Sequence, residues 1–543
     1  MITARLEQLT WERIYLRLKV SVSQAEPDLR EDALCFYICR AEDGRCVGLP
    51  DQRWMDASGY EVRINITNRG DERAYSSGSY TLALCRRDGT FLGYAQPGVF
   101  GQEAQLNRSF PYQRDRGLEV SVTKEPAFLH IKERKGRMLP RLLSGAKYAF
   151  LQLYYNLLSL LSSSGRSRRI LFISEMNPTI SGNMEAVKKR LLARGLDQKY
   201  TLLESARNSR GKSDTSLLKV LAKMAQSGII IADDHVPFLD RINPGKDRRL
   251  IQLWHAGVGF KATGYSRWGH QGAIGPMSGH RRITYGITAS ARTVGIFSEL
   301  WGIADERVIP CGLPRMDRLF DEKEKREAVR RLKQRYPVCE GKRVVLFAPT
   351  YRGKGRRDAN YPMERLDFAK WSQRAKAGGY VVLVKMHPWI SVKDAVPAGL
   401  QEVICPVDPV EDTGDLMLLA DLLVTDYSSV IFEFAALRKP MVFYAFDEKE
   451  YGEERGFHRP YRENAPGPVA KDFDRLLELL DQPQELQAVE AYAVAHFDDT
   501  DGGASDRVID WLIEGKLPAE YSSAIAAYEQ RTREWKSLRF GKT

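Results

Sequence analysis

Through the first 125 residues, polar and apolar positions alternate with a period of two. Arg13 to Val20 follows this rule, as do Tyr60 to Ile66 and Tyr80 to Leu84. Turn-forming clusters separate the runs: Glu42-Asp43-Gly44, Asn68-Arg69-Gly70-Asp71 and Arg87-Asp88-Gly89. Short strands at such spacing predict a β-sandwich-like accessory domain over 1–125. The pattern then changes to a helical one. Tyr148 to Leu161 is an apolar helical segment flanked by Lys132, Arg134, Lys135, Arg137, Arg141, Lys147, Arg166, Arg168 and Arg169. A helix with basic ends suits the headgroup plane of an anionic membrane, so 126–167 is expected to be a membrane-associating linker.

From residue 168 short apolar runs alternate with helical ones. Arg169 to Ser174, Gly228 to Ala232, Leu250 to Trp254 and Arg282 to Thr288 are predicted strands, with a helix over Met184 to Arg194. A highly charged helix, Asp321 to Tyr336, marks a boundary. A second series follows at Arg343 to Ala348, Tyr380 to Lys385, Leu422 to Thr425 and Met441 to Tyr444. Strands alternating with helices imply parallel sheets. The expected class is therefore α/β, with two doubly wound domains (168–318 and 319–515) facing a cleft, and a helical tail at 516–543.

Composition narrows the partners. Lys plus Arg exceed Asp plus Glu by 82 to 70, a net +12, which favours a membrane surface, nucleic acid or phosphorylated substrates. The seven cysteines are odd in number and show no C-x-x-C spacing. Cys35 and Cys39 fall on one face of a predicted strand as small apolar residues, and a reducing compartment fits. The N-terminal residues carry no secretory h-region. The longest apolar stretch, Ala149 to Leu161, is shorter than the ~20 residues of a spanning helix.

Ligands of doubly wound sheets bind beyond the carboxyl ends of the strands. After Leu422 to Thr425 come Asp426, Tyr427, Ser428 and Ser429, then the apolar run Val430 to Leu437. The serines are placed to cap a helix and offer an anion site, and Glu433 lies one turn on, where it can accept from sugar hydroxyls. After Tyr380 to Lys385 comes Met386-His387-Pro388, whose imidazole can donate to a phosphate oxygen. After Arg343 to Ala348 comes Pro349-Thr350-Tyr351-Arg352, a forked phosphate donor. In the first series Trp254-His255 ends a strand, and a His across the cleft can act as general base for an acceptor hydroxyl. Lys261 and Arg267 are candidates for acceptor phosphate, with weaker claims for His270 and His280. The sequence holds no P-loop, no strand-linked G-x-G-x-x-G and no G-x-S-x-G elbow, and no Asp-x-Asp stands out as a metal site.

These residues, taken as an ordered set, resemble the CDP-glycerol glycerophosphotransferases of teichoic acid and capsule synthesis. The matching pieces are Asn177-Pro178 with Ser181-Gly182-Asn183, Gln252 to Ala256 through Phe260-Lys261, Phe347 to Arg352, Lys385 to Pro388 and Thr425 to Ser429 through Phe434. Lys439-Pro440, Tyr444, Asp447, Tyr451, Arg455-Gly456-Phe457 and Asp501 to Arg507 continue the match, which spans roughly 168 to 515. The resemblance implies a GT-B fold, a cytoplasmic, peripheral membrane position, and transfer of a polyol phosphate from CDP-glycerol or CDP-ribitol, releasing CMP. It implies as acceptor an undecaprenyl-diphosphate-linked saccharide or polyol phosphate. No metal, cofactor or nucleic acid is implied, and a homo-oligomer stays open. Carried over residue by residue, His255 is the acceptor-activating base and His387 its catalytic counterpart. Arg352, His387, Thr425, Asp426, Ser428 and Ser429 look like the donor phosphate site, with Glu433 toward the ribose and Asn183 and Lys261 on the acceptor side. Many members have Gly-Thr-Pro after the first His, where this chain has Ala256-Gly257-Val258. Two alternatives remain: a GT-B glycosyltransferase using a nucleotide sugar, and a non-catalytic basic membrane-binding protein.

Overall fold

A computed structural model describes residues 2–23, 34–56, 59–98, 106–113, 116–136, 138–207, 214–257, 259–270, 272–353, 357–390 and 396–540. Arg137 and Val258 lie outside the described residues.

The N-terminal strands are β1 (Thr3–Glu12), β2 (Tyr15–Ser23), β3 (Leu34–Arg40), β4 (Cys46–Gly48), β5 (Gln52–Asp56), β6 (Gly59–Asn65), β7 (Gly78–Arg86), β8 (Phe91–Tyr94), β9 (Gln96–Pro97), β10 (Arg108–Gln113), β11 (Arg116–Val122) and β12 (Leu129–Lys135). They form a five-stranded sheet, β5-β6-β2-β1-β9, and a seven-stranded sheet, β10-β11-β12-β7-β3-β4 with β8 beside β7. Leu16 and Leu18 of the first sheet and Phe36 and Leu82 of the second share one apolar core. The expected strand Arg13 to Val20 begins two residues later, because Arg13 turns the chain at φ 53° between β1 and β2.

Two sequence expectations give way here. Lys132, Arg134 and Lys135, expected to flank a membrane helix, lie on β12 and extend the sheet past residue 125. Cys39, read as a free apolar residue, is disulfide-bonded to Cys46. The antiparallel register of β3 and β4 sets these two residues directly opposite each other, which no local spacing rule reveals.

Helix α1 (Met138–Leu161) leads into the first α/β unit. Its strands are β13 (Arg169–Ser174), β14 (Thr201–Ala206), β15 (Ile229–Ala232), β16 (Arg249–Gln252), β17 (Tyr285–Ile287) and β18 (Val308–Ile309). Helices α2 (Gly182–Ala193), α3 (Asp214–Gln226) and α4 (Val294–Trp301) lie between them. All strands are parallel, in the order β14-β13-β15-β16-β17-β18. The charged helix α5 (Glu322–Arg335), capped by the Asp321 carboxylate, opens the second unit. Its strands are β19 (Arg343–Phe347), β20 (Tyr380–Val384), β21 (Ile404–Pro406), β22 (Leu422–Thr425), β23 (Met441–Tyr444) and β24 (Val469–Ala470), in the parallel order β21-β20-β19-β22-β23-β24. Helices α6 (Phe368–Ala377), α7 (Thr413–Leu419) and α8 (Val430–Ala436) join them. The strands are near-continuous apolar runs because helices cover both sheet faces. In each sheet the chain reverses direction beside the first strand, and that switch point opens the ligand crevice: β13/β15 in one unit, β19/β22 in the other.

The domain limits read from sequence shift at the C-terminal end. Val508, Ile509 and Leu512 join the core of the first α/β unit, while Phe497 packs on Phe432 of α8 in the second at 4.5 Å. Arg190 and Arg194 of α2 pair with Asp506, and Asp317 accepts from the backbone N–H groups of Ala504 and Ser505. The tail helix Ala519–Ser537 then runs back to the N-terminal sheets, where Trp535 lies against Gly48 and Phe540 stacks on Phe91 at 4.7 Å.

Candidate functional site

After β16 the chain makes a sharp turn at Trp254, whose φ of 52° is unusual for a bulky side chain. Surrounding polar groups hold it there. Gln252 Oε1 accepts from Trp254 N at 2.9 Å, and Asn183 Nδ2 donates to the carbonyls of Leu253 and Trp254 at 2.8 and 2.9 Å. Asn183 is buried, so it acts behind the turn and not as an acceptor contact. The turn projects His255 outward with a half-exposed ring packed on Trp254 at 4.5 Å. Its Nδ1 faces the Asp233 carbonyl at 3.2 Å and Asp234 Oδ2 at 3.4 Å.

Across the cleft, Thr425 and Asp426 are fully buried. Thr425 Oγ1 donates to the Ala348 carbonyl at 2.7 Å, tying the ends of β22 and β19 together. Asp426 Oδ1 accepts from the N–H groups of Thr350 (2.7 Å) and Tyr427 (2.6 Å), and its Oδ2 accepts from Arg352 Nη1 at 2.9 Å. Arg352 also grips Asp447 through Nε at 2.6 Å and Nη2 at 2.8 Å, a two-pronged charged pair. Burial opposes its charge, yet the carboxylates of Asp426 and Asp447 hold its pKa above the ordinary guanidinium range. Little of the fork is left for a ligand. Arg352, Thr425 and Asp426 therefore brace the turn that presents Ser428 and Ser429. Ser428 Oγ accepts from Val430 N at 3.4 Å, while the Ser429 hydroxyl makes no hydrogen bond among the described residues.

His255, Ser428, Ser429 and Glu433 line one cleft of about 840 Å³ between the two units. Glu433, expected to reach a ribose, is ion-paired with Arg315. Arg315 also donates to the His255 carbonyl at 2.6 Å, so one guanidinium links both sides of the cleft. Its Nε is buried without a hydrogen-bond partner among the described residues. A smaller cavity of about 160 Å³ joins His255, Ser429 and Lys261. Lys261, expected on the acceptor side, lies at the junction of the units and reaches over the Tyr451 ring. Burial pushes its pKa down to about 8, with the cations of Arg455, Arg352 and Arg267 adding to the fall and Asp426 opposing it. His387 is outside the lining of the large cleft. It sits between Tyr351 (4.7 Å) and Trp389 (4.6 Å), and its Nδ1 accepts from Trp389 N at 3.3 Å. Burial, then Lys261 and Lys385, push its pKa down to about 4. The ring is neutral at pH 7 and, with Nδ1 accepting, carries its proton on Nε2 as a donor.

Gly257 fixes how close the two units come. A Cβ there would fall inside the Phe432 ring of α8. Gly257→Ala is expected to push the His255 turn off α8, costing roughly 1–3 kcal/mol by overpacking. A lowered urea midpoint together with weaker donor binding in calorimetry checks it; an unchanged midpoint contradicts the packing.

Residues 154–514 match the profile of the CDP-glycerol:poly(glycerophosphate) glycerophosphotransferase family. The chain belongs to this family. It is 36% identical over 352 residues to the teichoic acid poly(ribitol-phosphate) polymerase of Bacillus spizizenii, covering 64% of this chain and 56% of that protein. It is 34% identical to the teichoic acid ribitol-phosphate polymerase TarL of Staphylococcus aureus, covering 63% and 62%. The chain thus spans less than two thirds of either relative's length. Its fold is similar to that of the wall teichoic acid polymerase TagF, with a TM-score of 0.55, 20% identity, and coverage of 70% of this chain and 97% of the other.

Within the family frame, the sequence reading missed Arg315, Asp234 and the bracing role of Asp447. A signal for Asp234 existed, since it follows β15 as His255 follows β16. Several histidines are kept neutral by burial: His387, His458 and His496 each have a pKa pushed down to about 4. Below about pH 6.5 the unfolded chain takes up protons that the fold refuses, so their contribution is complete above 6.5 and is lost as pH falls towards 4. Urea midpoints are expected to drop steadily from pH 7 to pH 4.5; a flat series contradicts buried neutral rings.

Proposed function

We propose that this chain transfers a polyol phosphate from a CDP-activated alcohol to a hydroxyl of a lipid-linked acceptor in the synthesis of teichoic acid or a related polymer. The observation that carries the reading is the cleft itself: His255 from one unit faces the Ser428–Ser429 turn of the other, with Arg315 between them. In this reaction the acceptor oxygen attacks the donor's β-phosphorus and His255 Nε2 takes the hydroxyl proton. The bond from that phosphorus to the bridging oxygen breaks, and CMP leaves with the electron pair. Neutral His387 donates Nε2–H to a phosphate oxygen, Lys261 lowers the negative charge, and Ser428 and Ser429 bind the donor phosphates. Positioning and charge stabilisation supply most of the acceleration in such phosphoryl transfers. Arg352, Asp426 and Asp447 act by rigidity.

The first relatives, at 34–36% identity, are named for ribitol phosphate, and glycerol-phosphate relatives are 26–30% identical. CDP-ribitol is therefore the first donor to test. CMP release from CDP-ribitol and CDP-glycerol with a lipid-linked acceptor, followed by mass spectrometry of the lipid product, decides the reaction. UDP release from a UDP-sugar in its place would assign a GT-B glycosyltransferase.

The membrane reading rests on α1. Leu151 and Tyr155 bury one face against the first α/β unit, while Leu143, Phe150, Leu153, Leu157, Leu160 and Leu161 stay exposed on the other. Among the described residues no helix is long and apolar enough to cross a membrane. The exposed row suits shallow insertion on the cytoplasmic face, and the two N-terminal sheets serve as a sandwich-like accessory module beside it. Leu153→Glu with Leu157→Glu is expected to cut flotation with phosphatidylglycerol vesicles at least tenfold; undiminished flotation rules α1 out as the anchor.

A further inference from the structure

We infer that Asp234 is the positioning residue of the acceptor base, holding the His255 ring so that Nε2 faces the cleft. The inference deepens the proposed transfer and rests on it for its catalytic meaning.

The geometry begins at β15, whose carboxyl end delivers Asp233 and Asp234 beside the turn that follows β16. Both groups within reach of His255 Nδ1 are acceptors: the Asp233 carbonyl at 3.2 Å and Asp234 Oδ2 at 3.4 Å. An imidazole nitrogen facing two acceptors must carry the proton, which leaves the lone pair on Nε2. That is the tautomer a base toward the cleft requires. The Asp234 carboxylate is itself fixed, since its Oδ1 accepts from His235 N at 2.6 Å and its backbone carbonyl accepts from Gln252 Nε2 at 3.0 Å. Gln252 also holds Trp254 N, so the same side chain fixes the Asp234 backbone and the left-handed turn that carries His255. Asp233 has a different part. Its carboxylate is buried and accepts from Ser174 Oγ at 3.0 Å and Asn177 Nδ2 at 3.2 Å, and only its carbonyl meets the imidazole.

Other charged or titratable groups around His255 do not duplicate this contact. His280, buried and neutral, packs edge-on against Trp254, and Arg315 meets the His255 carbonyl, not the ring. Lys261 shares the small cavity, and Glu433 is held by Arg315. Asp234 is thus the one carboxylate among the described residues within 4 Å of a ring nitrogen of His255. When the base takes the acceptor's proton, the imidazolium forms beside that carboxylate and the charge is balanced without rearrangement.

The test reads tautomer and turnover in the full chain. Histidine labelled with ¹³C and ¹⁵N, with the His255 signal assigned by His255→Ala, is expected to show the neutral ring protonated on Nδ1. In Asp234→Asn the Nδ1–H form is expected to lose its dominance to the Nε2–H form, because the carboxylate that accepts from Nδ1 is gone. kcat should fall by about 10²-fold, and donor KM should stay within about twofold. Asp234→Glu is expected to restore part of kcat and of the Nδ1–H form. An Nε2–H tautomer in the wild type, or an unmoved tautomer balance in Asp234→Asn, overturns the inference. The wild-type tautomer decides even if the Asn variant folds poorly. If wild type releases no CMP from either CDP-alcohol, the proposed function fails while the spectra still judge the Asp234–His255 pair.

Discussion

His255→Ala is expected to lower CMP release by about 10²–10⁴-fold, the range for loss of a positioned general base. The effect should fall on turnover and spare the donor. His255 sits on the first α/β unit, whereas the bracing network of Arg352, Asp426 and Asp447 belongs to the second. Truncation removes the ring beyond Cβ but leaves the His255 carbonyl, so the contact from Arg315 survives and the cleft keeps its width. The ring is half-exposed and gives up only one packing partner of note, Trp254, so stability should change little. The combination to look for is a collapsed kcat, donor affinity by calorimetry within about threefold of wild type, and an unaltered melting point. Wild-type turnover in this variant would remove His255 from the chemistry and with it the assignment of the acceptor side.

Arg352→Met is expected to lower stability by roughly 3–5 kcal/mol, the usual result of removing one partner from a buried charge pair. The Asp426 carboxylate is fully buried, and the guanidinium is the only cation in ion-pair contact with it among the described residues. Asp447 would lose both prongs of its pair and keep only the Tyr427 hydroxyl at 3.0 Å. At roughly 2–4 °C per kcal/mol for a unit of this size, a fall in melting point on the order of 10 °C follows. Adding Asp426→Asn should recover part of the loss. The amide oxygen still accepts from Thr350 N and Tyr427 N while the buried charge disappears. Melting curves of the single and double variants measure this. A single variant melting within about 2 °C of wild type would mean that the guanidinium is a donor-phosphate ligand, as the sequence suggested, and not a brace.

The candidate site was legible in the sequence to the extent that it follows strand ends. His255, His387, Arg352 and Ser428–Ser429 all come directly after short apolar runs, and parallel sheets gather such positions on one side. The roles within that set were less legible. Arg352 reads as a phosphate donor because its fork suits phosphate, but Asp426 and Asp447 have the same acceptor geometry and are folded against it. Glu433 reads as free until Arg315, from the other unit, meets it. The resemblance places Asn183 on the acceptor side, yet its side chain turns inward to the Trp254 backbone. In each case the deciding partner is far away in sequence, and no local pattern carries that information.

Hydrophobic period by itself determined that this chain has an alternating N-terminal region, two successive α/β series and a helix with apolar residues around much of its surface. Burial of apolar surface depends on spacing along the chain, so these features are local. Tertiary structure alone decided which polar groups are reagents and which are braces. It returned residues 504–513 to the first α/β unit, joined Cys39 to Cys46, and set Gly257 against Phe432. It also drew His255 and Ser429 to the walls of one cavity. Directional contacts such as hydrogen bonds and ion pairs depend on where distant segments meet, and only the packed chain fixes that.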